Sequence, residues 1–139
     1  MENNKIKVEF YSLSINELFA RNVLSCFALR LNPSVSEIAD IKTAVSEAVT
    51  NSIVHGYPNS VGKIVIEAEI IEKEIHINVY DFGVGIDNVE QALTPFYTSK
   101  PQDERSGMGF TIMENFMDEV IVKSEKGKGV SVYMKKLIK

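Results

Sequence analysis

Glu47 and Asn51 stand four residues apart in SEAVTNSIVHGY (46–57), beside the apolar Val45, Ala48, Val49, Ile53 and Val54. Residues four apart share a helix face, so this carboxylate and this amide point the same way, beside the apolar stripe. Burying a carboxylate without a partner is costly. An isolated Glu-x-x-x-Asn is usually a solvated helix edge. If the pair instead lines a cleft, the Asn oxygen is a hard ligand suited to Mg²⁺, which prefers oxygen and few protein contacts. The Glu could then take a proton from a nucleophile.

Two later stretches bear on the choice. In YDFGVGID (80–87), Asp81 ends a strand, and Gly83 and Gly85 follow with one residue between each. Glycines allow a sharp turn and a close approach to a flat ligand, and a strand-terminal Asp can accept a hydrogen bond from an exocyclic amine. In ERSGMGFTIMEN (104–115), Gly107 and Gly109 open a helix, with Lys100 and Arg105 just upstream. Free backbone N–H groups and the positive end of the helix dipole suit a phosphate there. Alone, the first stretch reads equally as a plain turn. The second reads equally as an ordinary glycine-rich helix start.

The elements that must position these groups follow from the hydrophobic period. Residues 5–12 alternate around Ile6, Val8 and Phe10, as a strand with one wet face does. Ser14 with Glu17, and Ser34 with Glu37, have capping-box spacing. The first helix is expected to bury Ile15, Leu18, Phe19, Leu24, Phe27 and Leu31 before Asn32-Pro33 breaks it. The second should run to about His55 with Gly56 as its stop, burying Ile38, Ile41, Val45, Ala48, Val49 and Ile53. Hairpins are expected over 62–71 with 74–82 and over 119–125 with 130–137. Between them come a short helix over 87–93, an aperiodic loop over 94–106 with two prolines, and a helix over 107–117. The predicted fold is an α/β two-layer sandwich: a mainly antiparallel sheet with helices on one face.

Composition narrows the classes. The 139 residues suffice for one domain with a full core, and 45% are apolar, as in a globular chain. The net charge of −4, from 15 basic and 19 acidic side chains, disfavours nucleic acid as a direct partner. The lone Cys26 cannot staple the fold and fits a cytoplasmic address. No signal-peptide core or membrane-length apolar run is present, so no membrane partner is expected.

Taken together and in this order, the three motifs resemble the ATP-binding fold shared by gyrase-type topoisomerases, heat-shock chaperones, mismatch-repair ATPases and sensor histidine kinases. The words SEAVTNSIVHGY, DFGVGI and ERSGMGFTIMENFMDEV are similar to the bacterial anti-sigma factor serine kinases, more to the sporulation type than to the general-stress type, over essentially the whole chain.

The resemblance implies ATP and Mg²⁺ as cofactors, with Asn51 on the metal and Glu47 as general base toward a serine hydroxyl. It implies Asp81 on the adenine amino group, with Gly83 and Gly85 shaping that wall. Gly107, Met108, Gly109 and Phe110 would hold the phosphates, and Thr98, Ser99, Lys100 and Arg105 would form a lid. His55 is placed equally well as a ligand contact or a helix-end residue. The family has Gly-Thr where this chain has Gly129-Val130, which leaves one adenine-side contact open; Ser131 points the other way along a strand. The implied partners are a sigma factor, an anti-anti-sigma protein as serine substrate, and a second copy in a homodimer. Glu17 and Arg21, one helical turn apart and off the apolar stripe, would lie on the partner surface. A reading of another class is a non-catalytic ATP-dependent sigma-binding module, against which Glu47 counts, since a pure binder needs no base.

Overall fold

A computed structural model describes residues 3–86, Val89, Leu93 and 109–139. Five strands form one antiparallel sheet: β1 (Asn4–Tyr11), β2 (Lys63–Ile71), β3 (Glu74–Asp81), β4 (Glu119–Ser124) and β5 (Val130–Leu137), in the order β1-β2-β3-β5-β4. Three α-helices accompany it among the described residues: α1 (Ile15–Ala28), α2 (Val35–Asn51) and α3 (Gly109–Phe116). A single turn of π-helix, Ser52–Gly56, extends α2.

The period-two pattern sets the core. Ile64, Ile66, Ala68 and Ile70 of β2, Ile75, Ile77 and Val79 of β3, and Val132 and Met134 of β5 are buried under the helices. The β2–β3 register puts Ile64 opposite Asp81 and Ile66 opposite Val79. Asp81 therefore continues the core-facing row of β3 in place of another aliphatic residue. The Glu72-Lys73 turn is as expected, with Glu72 at φ 53°. Ser34 and Glu37 make their capping box: Glu37 N–H donates to Ser34 Oγ at 3.0 Å and Ser34 N–H to Glu37 Oε1 at 2.9 Å. Lys136, on the core-facing row of β5, donates to the Phe116 carbonyl at 2.7 Å and lies 3.4 Å from Asp40 Oδ2. It thereby holds the C-terminal end of α3, where a cation is favoured, to α2.

The first helix departs from expectation. Ser14 makes no side-chain cap. Glu17 instead accepts from Ser46 Oγ on α2 at 2.5 Å. The buried residues of α1 are Ala20, Leu24 and Ala28, whereas Ile15 and Phe19 are 69% and 57% exposed and Leu18 is also exposed. The reason is geometric: α1 packs chiefly on α2 and reaches the sheet little beyond β1. One narrow stripe rather than a broad apolar face is therefore covered. The predicted short helix over 87–93 and the loop over 94–106 lie largely outside the described residues. Within the first, Leu93 N–H donates to the Val89 carbonyl at 3.0 Å, one α-helical turn.

Candidate functional site

Three stretches far apart in sequence meet around the C-terminal end of α2. Glu47 and Asn51 are both half-buried there. Gly109, the first residue of α3, packs against them. A Cβ built on it would lie 2.9 Å from Asn51 Nδ2, 3.3 Å from Asn51 Oδ1 and 3.4 Å from Glu47 Oε2. The carboxylate and the amide thus converge on the N-terminal end of α3, where unpaired N–H groups and the dipole favour an anion. Phe110 sits half-buried against the core beside them.

One residue beyond Asn51, Ser52 is buried and its Oγ donates to Asp81 Oδ2 at 2.7 Å. Asp81 itself is 3% exposed. Its Oδ1 accepts the Gly83 N–H at 2.9 Å and the Val130 N–H at 3.3 Å. Burial pushes the Asp81 carboxyl above its ordinary value, while the hydrogen bonds from Ser52, Gly83 and Val130 pull the other way. The turn after Asp81 presses on the end of α2: a Cβ on Gly83 would lie 2.0 Å from the Gly56 carbonyl oxygen. That oxygen also accepts the Val84 N–H at 2.9 Å, so glycine is required at 83. Gly85, at φ 78°, turns the chain onto the β4–β5 connection, where Gly127 N–H donates to the Val84 carbonyl at 2.6 Å.

The position that departs from the family pattern takes part through its backbone. Val130 offers Asp81 its N–H, and Ser131 Oγ donates to Asn78 Oδ1 at 2.9 Å on the opposite sheet face. A groove of about 550 Å³ on that face, lined among others by Glu67, Asn78, Tyr80 and Ser131, backs onto Asp81. Glu47 and Asn51 are not in its lining. There Tyr80 donates to Glu67 Oε1 at 2.7 Å, which raises its pKa to about 12.

The motif order and this convergence agree with a match to the family model of the histidine kinase-like ATPase domain over residues 16–136. The chain belongs to that family. Within it, the chain is 57% identical over 137 residues to an anti-sigma F factor of Clostridium beijerinckii, covering 98% of this chain and 96% of the relative. It is 56% identical over 140 residues to an anti-sigma F factor of Clostridium novyi, covering 100% and 98%. Among solved structures, the RsbU and RsbW domains of a Mycobacterium tuberculosis protein superpose with a TM-score of 0.69 at 19% identity, over 97% of this chain and 32% of that one. The catalytic domain of the histidine kinase ThkA superposes with a TM-score of 0.60 at 18% identity, over 99% and 97%. These two structural likenesses bear on the fold alone.

Of the expected site residues, Glu47, Asn51 and Gly109 meet, Asp81 and Gly83 adjoin the end of α2 through Ser52 and Gly56, and Gly85 and Phe110 pack on the β4–β5 connection and the core. Thr98, Ser99, Lys100, Arg105, Gly107 and Met108 lie outside the described residues. Among the described residues no group of three or more His, Cys, Asp or Glu side chains could hold a metal. The donor set fits an ion held by one amide oxygen plus phosphates and water, as Mg²⁺ commonly is. It does not fit an all-protein metal cage. Ser52 is the residue that sequence reasoning missed. It continues the buried stripe of α2 into the π-turn, four after Ala48, and a polar side chain on such a stripe calls for a buried partner.

Proposed function

We propose that this chain is an ATP-dependent anti-sigma factor that also phosphorylates a serine of its anti-anti-sigma partner. The observation that carries the reading is the convergence of Glu47, Asn51 and Gly109 at the end of α2, one residue from the Ser52–Asp81 bond. The relatives matched over nearly the whole chain, anti-sigma F factors, support the regulatory half, and the pathway is read as sporulation rather than general stress. The protein works in the cytoplasm as a homodimer. No helix among the described residues is long and apolar enough to cross a membrane.

In the mechanism Asp81 accepts a hydrogen bond from the adenine amino group, and the walls of that subsite are the Gly83–Gly85 turn and Val130. The N-terminal end of α3 takes the phosphates, and the family resemblance adds Gly107 and Met108, with Thr98, Ser99, Lys100 and Arg105, as further phosphate-side residues. Asn51 would hold Mg²⁺, which when bound would neutralise charge on the phosphates. Glu47 accepts the proton of the partner's serine hydroxyl as its oxygen bonds to the γ-phosphorus and the bond to the ADP oxygen breaks. The phosphoserine adds charge at the contact surface and expels the partner. Nucleotide state then selects between partners by differential affinity.

The partner surface includes Glu17 and Arg21. The two are 3.5 Å apart, and Ser46, the neighbour of Glu47, holds Glu17. Around them Leu13, Ile15, Leu18 and Phe19 are exposed, an apolar surface of the kind that marks an interaction site. Incubation of the purified protein with labelled ATP and the anti-anti-sigma protein tests the reading. Label on a partner serine, transferred far more slowly with Glu47→Gln, is the expected result. Nucleotide-dependent sigma binding without any transfer would leave the non-catalytic module in its place.

A further inference from the structure

The end of α2 carries a tyrosine that the mechanism above does not use. Tyr57 directly follows the π-turn. Its hydroxyl donates to the Lys63 carbonyl at 2.6 Å and accepts the Phe82 N–H at 2.8 Å. Lys63 opens β2, and Phe82 follows the last residue of β3. Since Ile64 pairs with Asp81, Lys63 and Phe82 are the next pair outward. In an antiparallel ladder a carbonyl and an N–H that face each other at such a position bond directly. Here one side-chain hydroxyl bonds both and braces the strand ends at the rung beside Asp81.

The surroundings are built for this ring. A Cβ on Gly62 would lie 2.1 Å from Tyr57 Cε1, so only glycine leaves room there. The Tyr57 hydroxyl, protonated at neutral pH at its ordinary value and pushed further up by burial, can donate. Without the hydroxyl, the Phe82 N–H and Lys63 carbonyl are left unpaired or close on each other. Closing would drag Phe82 and Gly83 toward β2. The Gly83 N–H is one of the bonds that orient the Asp81 carboxylate.

We infer that Tyr57 is a positioning and specificity residue of the nucleotide site, whose hydroxyl braces the end of β3 so that Asp81 faces the base. The inference rests on the reading of Asp81 as the adenine contact. A residue acting through Asp81 alters which base is preferred and leaves the triphosphate end alone, a split that a general loss of stability would not produce.

The test measures Mg-ATP, Mg-GTP and Mg-tripolyphosphate affinities of the full chain as parent, Tyr57→Phe, Gly62→Ala and Asp81→Asn. The parent's Phe82 amide exchange rate is measured alongside. Tyr57→Phe should cut the ATP-over-GTP preference roughly tenfold, about one net hydrogen bond, with tripolyphosphate affinity unchanged. Gly62→Ala, by displacing the ring, should move the preference the same way. The parent's Phe82 amide should be protected. If Asp81→Asn loses the preference while Tyr57→Phe keeps it, the role of Tyr57 is refuted and the adenine reading stands. If Asp81→Asn keeps the preference, both readings fall. A Phe82 amide that exchanges in the parent as fast as a free loop amide refutes the hydroxyl bridge, whatever the variants do.

Discussion

Gly109→Ala separates the geometry of the site from the stability of the fold. The added methyl would sit 2.9 Å from Asn51 Nδ2 and 3.4 Å from Glu47 Oε2. The first distance is about half an ångström inside ordinary van der Waals contact. The groups it meets are the ends of flexible side chains, so they rather than the backbone should yield. Gly109 is not among the glycines with positive φ, so alanine fits its backbone. In a helix, alanine in place of glycine gains up to about 1 kcal/mol. The expected result is a melting temperature equal to or above the parent's. Misplacing a catalytic group by about 1 Å costs roughly 10²-fold, so a shift of half that should slow phosphoryl transfer by about 10-fold. Single-turnover transfer from labelled ATP to the anti-anti-sigma protein, with a melting curve on the same preparation, decides it. Transfer within about twofold of the parent would show that Glu47 and Asn51 do not act from the positions seen here. A collapsed melting curve would show that the backbone, not the side chains, takes up the overlap.

Glu47→Gln should leave nucleotide affinity nearly intact and lower transfer by ~10²–10⁴-fold, the usual contribution of a positioned base; near-normal transfer would remove Glu47 from that role. Asp81 has a raised carboxyl pKa in the folded state, so the folded protein binds that proton more tightly than the unfolded chain. Its contribution to stability therefore falls as pH rises from the ordinary carboxyl value of 3.8 through the folded value, and stays low above it. Asp81→Asn should accordingly gain in melting temperature on the parent across that window, which parallel melts at stepped pH would show. Glu37, which accepts N–H bonds from Lys139 and Ser34, has a lowered pKa. It gives stability above its ordinary value of 4.5 that is lost as pH falls through the folded value, so Glu37→Gln should flatten the acid limb of the same curve. Arg21→Ala removes a partly exposed ion pair worth less than ~1 kcal/mol. It should fold, dimerise and bind ATP as the parent does but lose affinity for the sigma factor or the anti-anti-sigma protein; two unchanged titrations would place the partner surface elsewhere.

The strands and the site motifs were legible in the sequence because both depend on local patterns. Alternation placed Ile64, Ile66, Ile75 and Ile77 on one face, and the same period places Asp81 at the end of that row. Helix spacing put Glu47 and Asn51 on one stripe. Alternation also turned Ser131 away from Asp81, to Asn78. Periodicity could not show what α1 packs against. Ile15, Leu18 and Phe19 have helical spacing, but α1 lies mainly on α2 and covers only its Ala20-Leu24-Ala28 stripe. Neither could Ser14 and Glu17 be told from a true capping box, since Ser46, which takes the carboxylate, lies 29 residues away. Val130 was open for a similar reason: a side-chain comparison is silent about the backbone N–H that Asp81 accepts.

The end of α2 also shows why the Asp subsite sits where it does. After Asn51 the helix widens, and Tyr57 N–H donates back to the Ser52 carbonyl at 3.2 Å, an i→i+5 bond. Such a π-turn places one more residue in the turn than an α-helix would, and single π-turns are frequent at functional sites. Here the stretch is anchored at three points along β3 and the turn after it. Ser52 holds the Asp81 carboxylate, the Gly56 carbonyl holds the Val84 N–H, and the Tyr57 hydroxyl holds the Phe82 N–H. Asn51, the metal ligand of the proposed mechanism, is the last residue before this turn, and Glu47 stands one α-helical turn behind it. In the proposed mechanism, base recognition and phosphate chemistry are therefore built on one continuous piece of backbone. Ser52 alone joins the two, as the neighbour of Asn51 in the chain and the hydrogen-bond partner of Asp81, so Ser52→Ala should move nucleotide affinity and transfer together, whereas Tyr57→Phe should move base preference alone.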